Sequence, residues 1–383
     1  MPSLPEPDAE ARAHSAALLA QIRAEIDAGG GWLSFARYMD RALYAPGLGY
    51  YAGGATKFGG SGDFVTAPLI SPLFARCLAQ PVAAVLAQKG GVLELGAGTG
   101  ELAAGLLAEL AALDALPARY AILEVSADLR QRQRACLQAR VPQWLDRVEW
   151  IDALPEVFDG VILGNEVLDA LPVHLLHWHD GQVSECGVVW QEGRLGWGER
   201  PVADARLAEQ ALALAPGEDY RSEIGLAGPA LVADCLRRLQ CGLVLMIDYG
   251  FGAREYYHPQ RREGTLMCHY RHQAHADPLW WPGLQDITAH VDFSALQRSA
   301  AATGAVLQGY TSQAAFLIDC GLTELLGQTP ASDAAAYLPL VAGVQKLVSP
   351  AEMGELFKVI GWSRGLDVAL QGFRRADRRG ALS

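Results

Sequence analysis

Positive charge is scarce in this chain of 383 residues: Lys and Arg number 31 against 43 Asp and Glu, a formal net charge of −12. A protein that grips a nucleic-acid backbone or an anionic membrane carries the opposite balance, so neither partner is expected. No apolar run approaches the roughly 18 residues of a membrane span. The seven cysteines (Cys77, Cys136, Cys186, Cys235, Cys241, Cys268, Cys320) are scattered, and no two form a Cys-x-x-Cys pair. They read as reduced thiols, not as a disulfide frame or a zinc knuckle. The acidic N-terminus, MPSLPEPDAEARAHSAALL, lacks both a signal-type apolar block and an Arg-rich transit pattern, and a cytoplasmic location is expected. Gly-x-Ser-x-Gly, phosphate-loop and His-Glu-x-x-His signatures are also missing, which removes the hydrolase elbow, the P-loop kinase and the familiar zinc helix.

What is present is apolar. Hydrophobic residues make up 51% and charged residues 19%, ample for a large core and incompatible with a mainly disordered chain. The length corresponds to two to three domain equivalents, or to one α/β core with long insertions. Helical spacing predicts helices over Asp8–Ile26, Ser34–Tyr44 and Pro72–Gln88, separated by a stretch dense in Gly and aromatics from Tyr44 to Phe64. From Gly91 the texture alternates: strand Val92–Leu95, helix Glu101–Ala112, strand Tyr120–Val125, helix Ala127–Ala139, then strands Val148–Ile151 and Gly160–Leu163. That order predicts a parallel, doubly wound sheet. Residues 174–197 alternate around Gly turns and predict a β-hairpin insertion. Helix Ala227–Leu239 and strand Leu243–Ile247 precede a second insertion, 251–291, rich in His, Trp and Pro. Helix Phe293–Thr303, strand Val306–Tyr310, a helical stretch over about 313–346 and a last strand Glu355–Ile360 complete the expected order. The expected organisation is an N-terminal helical and loop region over 1–85 and a Rossmann-like core over 86–383, with insertions at about 173–226 and 251–291.

The sharpest local pattern is Glu94-Leu-Gly96-Ala-Gly98-Thr-Gly100-Glu101, an apolar strand running through a tight turn into a helix. Glycines admit close approach of a ligand, and the helix N-terminus offers unpaired N–H groups. A dinucleotide site wants Gly-x-Gly-x-x-Gly around a pyrophosphate. Here Glu101 occupies the place of the third glycine, which disfavours NAD or FAD. The pattern instead resembles motif I of class I S-adenosylmethionine (SAM) methyltransferases. Glu124, ending the second strand, suits the two ribose hydroxyls of a nucleoside. Asp152, after the third, is either an adenine contact or a cap of a short turn. The fourth strand leads into Asn165-Glu166-Val-Leu-Asp169-Ala-Leu-Pro172, at the sheet edge where open α/β folds bind ligands. Glu166, with Glu185 in the following hairpin, could hold a planar guanidinium between two carboxylates. Two histidine groups, His174/His177/His179 and His269/His272/His275, permit a metal by spacing alone; without a metal signature, no metal site is expected. Trp280-Trp281 reads either as a ligand platform or as a satellite core.

With these residues in place, the chain resembles the MidA-like methyltransferases, a family that includes the mitochondrial protein-arginine methyltransferase assisting assembly of respiratory complex I. The resemblance runs through Tyr44-Ala-Pro-Gly-Leu-Gly-Tyr-Tyr51, Gly62–Pro68, Glu94–Leu102, Glu124–Gln133, Asn165–Pro172, Asp248-Tyr249-Gly250, Gly264–His272, Asp277–Phe293 and Met353–Val359. It implies a class I SAM-dependent methyltransferase acting on an arginine of a protein, with a complex I core subunit as the client and symmetric dimethylation as the outcome; a homodimer is allowed. Glu94, Gly96, Gly98, Gly100, Glu124, Asp152 and Asn165 are then the cofactor residues, and the loop around Asp63 and Thr66 closes over the methionine end. Glu166, Glu185 and His290, with Asp286 nearby, fall on the reacting side. Leu69 stands where the family carries an acidic residue, and His269 where a second aromatic is common. A SAM-binding assembly chaperone, a small-molecule methyltransferase and an NAD(P)-dependent oxidoreductase are the rival readings.

Overall fold

The computed structural model describes residues 4–53, 66–88, 90–217 and 219–382. By contact density these fall into two compact units. One gathers the described residues of 65–168, 229–252 and 293–383; the other gathers those of 1–64, 169–228 and 253–292.

The first unit is built on a sheet whose strands, in chain order, are β1 (Gly91–Leu95), β2 (Tyr120–Leu123), β3 (Val148–Ile151), β4 (Phe158–Asn165), β5 (Leu239–Phe251), β6 (Val306–Ser312) and β7 (Phe357–Arg364). Their spatial order is β6-β7-β5-β4-β1-β2-β3. Strands β3, β2, β1, β4 and β5 are parallel, whereas β7 lies antiparallel between β5 and β6. All five residues of β1 are buried, as a strand covered on both faces requires. The chain leaves β1 toward β2 and β3, then crosses back to β4 on the other side of β1. This reversal is the topological switch point of a doubly wound sheet, and ligands bind at its carboxyl edge. The fold is the Rossmann-like α/β class expected from the sequence.

Three helices frame that edge: α1 (Pro72–Leu86), α2 (Glu101–Ala112) and α3 (Ala127–Arg140). Ser71 caps α1 by accepting the Leu73 N–H at 3.3 Å, and Pro72 fills the first position, where its missing N–H costs nothing. Leu73, Phe74, Cys77, Leu78, Val82 and Val85 of α1 enter the same core as Leu102, Leu106, Leu107 and Leu110 of α2. Each such side chain contributes roughly 1.5–3 kcal/mol when fully buried. Gly105 permits the helices to approach, since a Cβ there would lie 2.6 Å from that of Ala75. Helix α1, grouped with the N-terminal region in the sequence reading, thus clusters with the sheet, and the division falls at 64/65 instead of 85/86.

The second unit joins the N-terminal helices to both insertions. Leu18, Ile22 and Ile26 of helix Ala9–Ala28 share one core with Phe35, Tyr38, Met39 and Leu43 of helix Phe35–Tyr44 and with Val188, Cys268 and Ile287. The expected hairpin at 174–197 is larger than predicted. Strands His174–His179, Gln182–Gln191, Arg194–Pro201 and Tyr220–Ile224, with the short strand Leu33–Ser34, form a five-stranded sheet, and helix Ala205–Leu214 is added before its last strand. Residues 251–291 carry a three-stranded sheet of Met267–Tyr270, Gln273–His275 and Asp286–Thr288. Its first two strands turn through Arg271 and His272, both with positive φ (47° and 63°), the twist a two-residue hairpin needs. All seven cysteines are free; burial pushes the thiols of Cys77, Cys186 and Cys235 up to about 12.

Candidate active site

At the end of β1 the backbone turns through Gly96, Gly98 and Gly100, with φ of 59°, 51° and 89°. These left-handed values disfavour any side chain, so the pattern of three glycines is dictated by the turn. A Cβ on Gly98 would meet nothing within 4 Å, whereas one on Gly100 would lie 3.1 Å from Cα of Gln133. The turn is therefore open above Gly98 and closed against α3 at Gly100. Gly100 also serves as the N-cap of α2 without a capping side chain, which leaves first-turn N–H groups available. Glu101 turns away toward α3, where its carboxylate pairs with Arg140 and accepts from Cys136 Sγ at 3.5 Å.

Glu124, directly after β2, is only 5% exposed, and burial raises its carboxyl pKa. One oxygen accepts the Ser126 N–H at 2.8 Å and the other accepts Gln133 Nε2 at 3.0 Å. A carboxylate has about four acceptor sites, so these donors leave capacity for a ligand hydroxyl. Gln133 also donates to the Gly98 carbonyl at 3.0 Å and accepts from Trp150 Nε1 at 2.9 Å, joining the glycine turn, β2 and β3 through one amide. Arg130 donates to the carbonyls of Glu124 and Ile151 and to Asp152 Oδ1, the last at 2.6 Å. Asp152 is otherwise exposed. Glu94 lies beneath the turn at 2% exposure, with the Tyr120 hydroxyl donating to it at 2.6 Å. Desolvation pushes its pKa up to about 7, against the lowering effect of that hydrogen bond.

β4 ends at Asn165, and Glu166 follows with φ 53°, a conformation that non-glycine residues adopt at a cost of about 1–3 kcal/mol. Surrounding bonds hold it there. The Glu166 N–H donates to the Ile247 carbonyl at 2.9 Å, and buried Asp248, near the end of β5, accepts the N–H groups of Val167 and Leu168 at 3.1 and 2.8 Å. Glu166 Oε1 accepts Asn165 Nδ2 at 3.0 Å and the Ala67 N–H at 3.3 Å. Thr66 caps the short helix Ala67–Ile70 by position alone, making no side-chain cap bond. Asn165 Oδ1 is buried with no hydrogen-bond partner among the described residues.

The first unit thus brings Thr66, Glu94, Gly96, Gly98, Gly100, Glu124, Asp152, Asn165 and Glu166 to the carboxyl edge of one sheet. Asp63 lies outside the described residues. Glu185 and His290 belong to the second unit. Glu185 is buried, and its Oε1 lies 2.7 Å from His174 Nδ1. The His290 N–H donates to Thr265 Oγ1 at 3.0 Å, and buried Asp286 accepts from the Tyr51 hydroxyl at 2.9 Å. Tyr120 is a contributor that the sequence reading missed, and Gln133, Arg130 and Asp248 entered it only within the stretches that carry the resemblance, without a role.

The edge has the chemistry for SAM. An open glycine turn, an orphaned amide oxygen on Asn165 and the carboxylates of Glu124 and Glu166 suit a cationic ligand with an ammonium, a sulfonium and a ribose diol. The same carboxylates would repel a pyrophosphate.

A family model described as "Putative S-adenosyl-L-methionine-dependent methyltransferase" matches residues 73–311. The mitochondrial protein arginine methyltransferase NDUFAF7 of Danio rerio is 29% identical over 369 residues, covering 86% of this chain and 82% of that protein. Its counterpart in Mus musculus is 30% identical over 374 residues, covering 85% and 80%. A crystal structure of a COG1565 superfamily member from Burkholderia thailandensis, bound to S-adenosyl-homocysteine, is 52% identical with a TM-score of 0.95, covering 99% of this chain and 100% of that one.

Proposed function

Because this chain belongs to that family of S-adenosyl-L-methionine-dependent methyltransferases, we propose that it methylates an arginine side chain of a protein. The observation that carries the reading is Glu166, a half-exposed carboxylate in a strained conformation at the topological switch point. Strain persists only where the surroundings enforce it, and it concentrates at functional sites. The relatives named as protein arginine methyltransferases supply the substrate class.

When bound, the cofactor supplies an electrophilic methyl group on a sulfonium whose sulfur keeps the bonding electrons. Gly96, Gly98 and Gly100 let the backbone approach the methionine and ribose, Glu124 accepts the ribose hydroxyls, and Asn165 Oδ1 accepts from the ammonium. Asp152 and Thr66 are assigned to the adenine and methionine ends. A guanidinium stays protonated near neutral pH, with a pKa above about 12, so a strong base is not the main driver. Glu166 instead accepts guanidinium N–H bonds, concentrates the positive charge away from one nitrogen and holds that nitrogen in line with the methyl. Transfer would form the N–C bond as the S–C bond breaks, the nitrogen passing its proton to solvent. Glu185 and His290 remain assigned to the substrate side.

The test uses methyl-tritiated SAM, the purified chain and a complex I core subunit from the same source, followed by acid hydrolysis and separation of the amino acids. The reading predicts label in symmetric dimethylarginine. Transfer to lysine or to a small molecule, or no transfer by protein that binds S-adenosylhomocysteine, contradicts it.

A further inference from the structure

Three side chains of the inserted five-stranded sheet converge at one end of it, sharing no residue with the site described above. His177 and His179 are two apart on strand His174–His179, so both imidazoles stand on one face. Their rings stack, with centroids 5.3 Å apart and planes 18° from parallel. Asp219 stands immediately before strand Tyr220–Ile224, the partner of His174–His179. Its Oδ1 lies 3.6 Å from His177 Nε2 and 4.0 Å from His179 Nδ1. One donor atom from each of the three lies within 4.8 Å of the others. Bonds of roughly 2.0–2.1 Å to a tetrahedral zinc ion set donors about 3.4 Å apart. Modest movement of His179 and Asp219, whose side chains are 55% and 70% exposed, closes that difference.

The outer groups point the same way. His177 is 8% exposed, and its Nδ1 lies 3.0 Å from Glu199 Oε1, while the Ser184 hydroxyl holds the other oxygen of Glu199 at 2.6 Å. A carboxylate that accepts from one imidazole N–H keeps the ring proton on that nitrogen and leaves the other nitrogen's lone pair for a metal, the arrangement that orients ligating histidines. That other nitrogen, Nε2, is buried without a hydrogen-bond partner among the described residues. His179 repeats the arrangement in exposed form, with Asp180 Oδ2 3.3 Å from its Nε2. Arg221, 3.7 Å from Glu199, and Arg262, 3.4 Å from Asp219, offset part of the negative charge. Asp180, Glu199 and Asp219 still outnumber them.

We propose that His177 Nε2, His179 Nδ1 and Asp219 bind a divalent transition-metal ion of the zinc class, with water completing the shell. The ion fastens the Asp180–Gly181 turn to the start of strand Tyr220–Ile224. The histidine spacing was visible in the sequence, but the third ligand lies forty residues further on (179 to 219) and only the fold supplies it.

The test titrates the untagged, EDTA-treated chain with Zn²⁺ by calorimetry and with Co²⁺ by absorption. The proposal predicts one ion per chain and a cobalt spectrum free of thiolate charge transfer. His179→Ala and Asp219→Asn change exposed side chains, so the metal-free melting temperature should stay unchanged while affinity falls at least about tenfold; Glu199→Gln should weaken binding by about 10–100-fold. Absence of saturable binding, a thiolate spectrum, or unchanged affinity in both His179→Ala and Asp219→Asn overturns it.

Discussion

The carboxylate of Glu223, in the inserted unit, is 1% exposed and accepts the N–H groups of Thr265 and Leu266 at 2.9–3.1 Å, the Thr265 hydroxyl at 3.0 Å and the Tyr256 hydroxyl at 3.1 Å. Glu166, in the sheet unit, stands half-exposed on a backbone with φ 53° at the end of β4. The two differ in what their surroundings do. At Glu223 the donors satisfy the carboxylate, and the result is a fixed loop, Gly264–Leu266, that in turn positions His290 through Thr265. At Glu166 the surroundings hold the backbone, through Ile247 and Asp248, while Asn165 Nδ2 and the Ala67 N–H both donate to a single oxygen, Oε1. Donors reach both oxygens of Glu223 and fix a loop, whereas at Glu166 the distinguishing feature is enforced backbone strain at a ligand-binding edge.

Glu166→Gln keeps the shape and removes the charge, so methyl transfer should fall on the order of 10²–10³-fold in single-turnover assays, the scale of losing one preorganised transition-state contact.

A third glutamate separates burial from either role. Glu94 has a folded pKa of about 7 against an ordinary 4.5. Between those values the folded state holds a proton that the unfolded state has lost, so stability falls as pH rises from about 4.5 to about 7 and is flat above. The size is on the order of 3 kcal/mol. Urea unfolding across that range should show the slope, and Glu94→Gln should flatten it.

Glu223→Ala leaves two buried N–H groups unsatisfied and should lower unfolding free energy by roughly 1–3 kcal/mol. Affinity for S-adenosylhomocysteine should hold, because the cofactor residues lie in the other unit. Glu124→Gln should weaken that affinity about 10- to 30-fold by calorimetry, the cost of exchanging a charged acceptor for a neutral one. Asp152→Ala, at a side chain 89% exposed, should change it less than about threefold.

Legibility followed the distance over which each signal acts. Strand Val148–Ile151 and helix Glu101–Ala112 have the bounds read from the sequence, because periodicity and flanking turns are local. The glycine turn was equally plain, since spacing alone dictates it. Strand Tyr220–Ile224 escaped notice because its identity comes from pairing with His174–His179, more than forty residues earlier. The stretch at 313–346 read as one helical region, yet it contains Gln313–Asp319, Leu322–Gly327 and Ala334–Val348, broken at Gly321 and Pro330. Gln133 and Asp248 belong to stretches that carry the resemblance, but their roles stay hidden in the sequence because they lie in carbonyls and N–H groups brought in from other strands. The N-terminal helices and both insertions are separate pieces in the sequence, and long-range packing around Leu18, Val188 and Ile287, with pairing of Leu33–Ser34 into the inserted sheet, joins them.

On the proposed function, one sheet edge carries two separable jobs, cofactor binding at Glu124 and transfer at Glu166. Measuring S-adenosylhomocysteine affinity and methyl transfer side by side in Glu166→Gln tests it most directly. Affinity should stay within about threefold of the unmodified chain while transfer collapses by about 10²–10³-fold. Equal losses in both quantities, or transfer that survives, would contradict it.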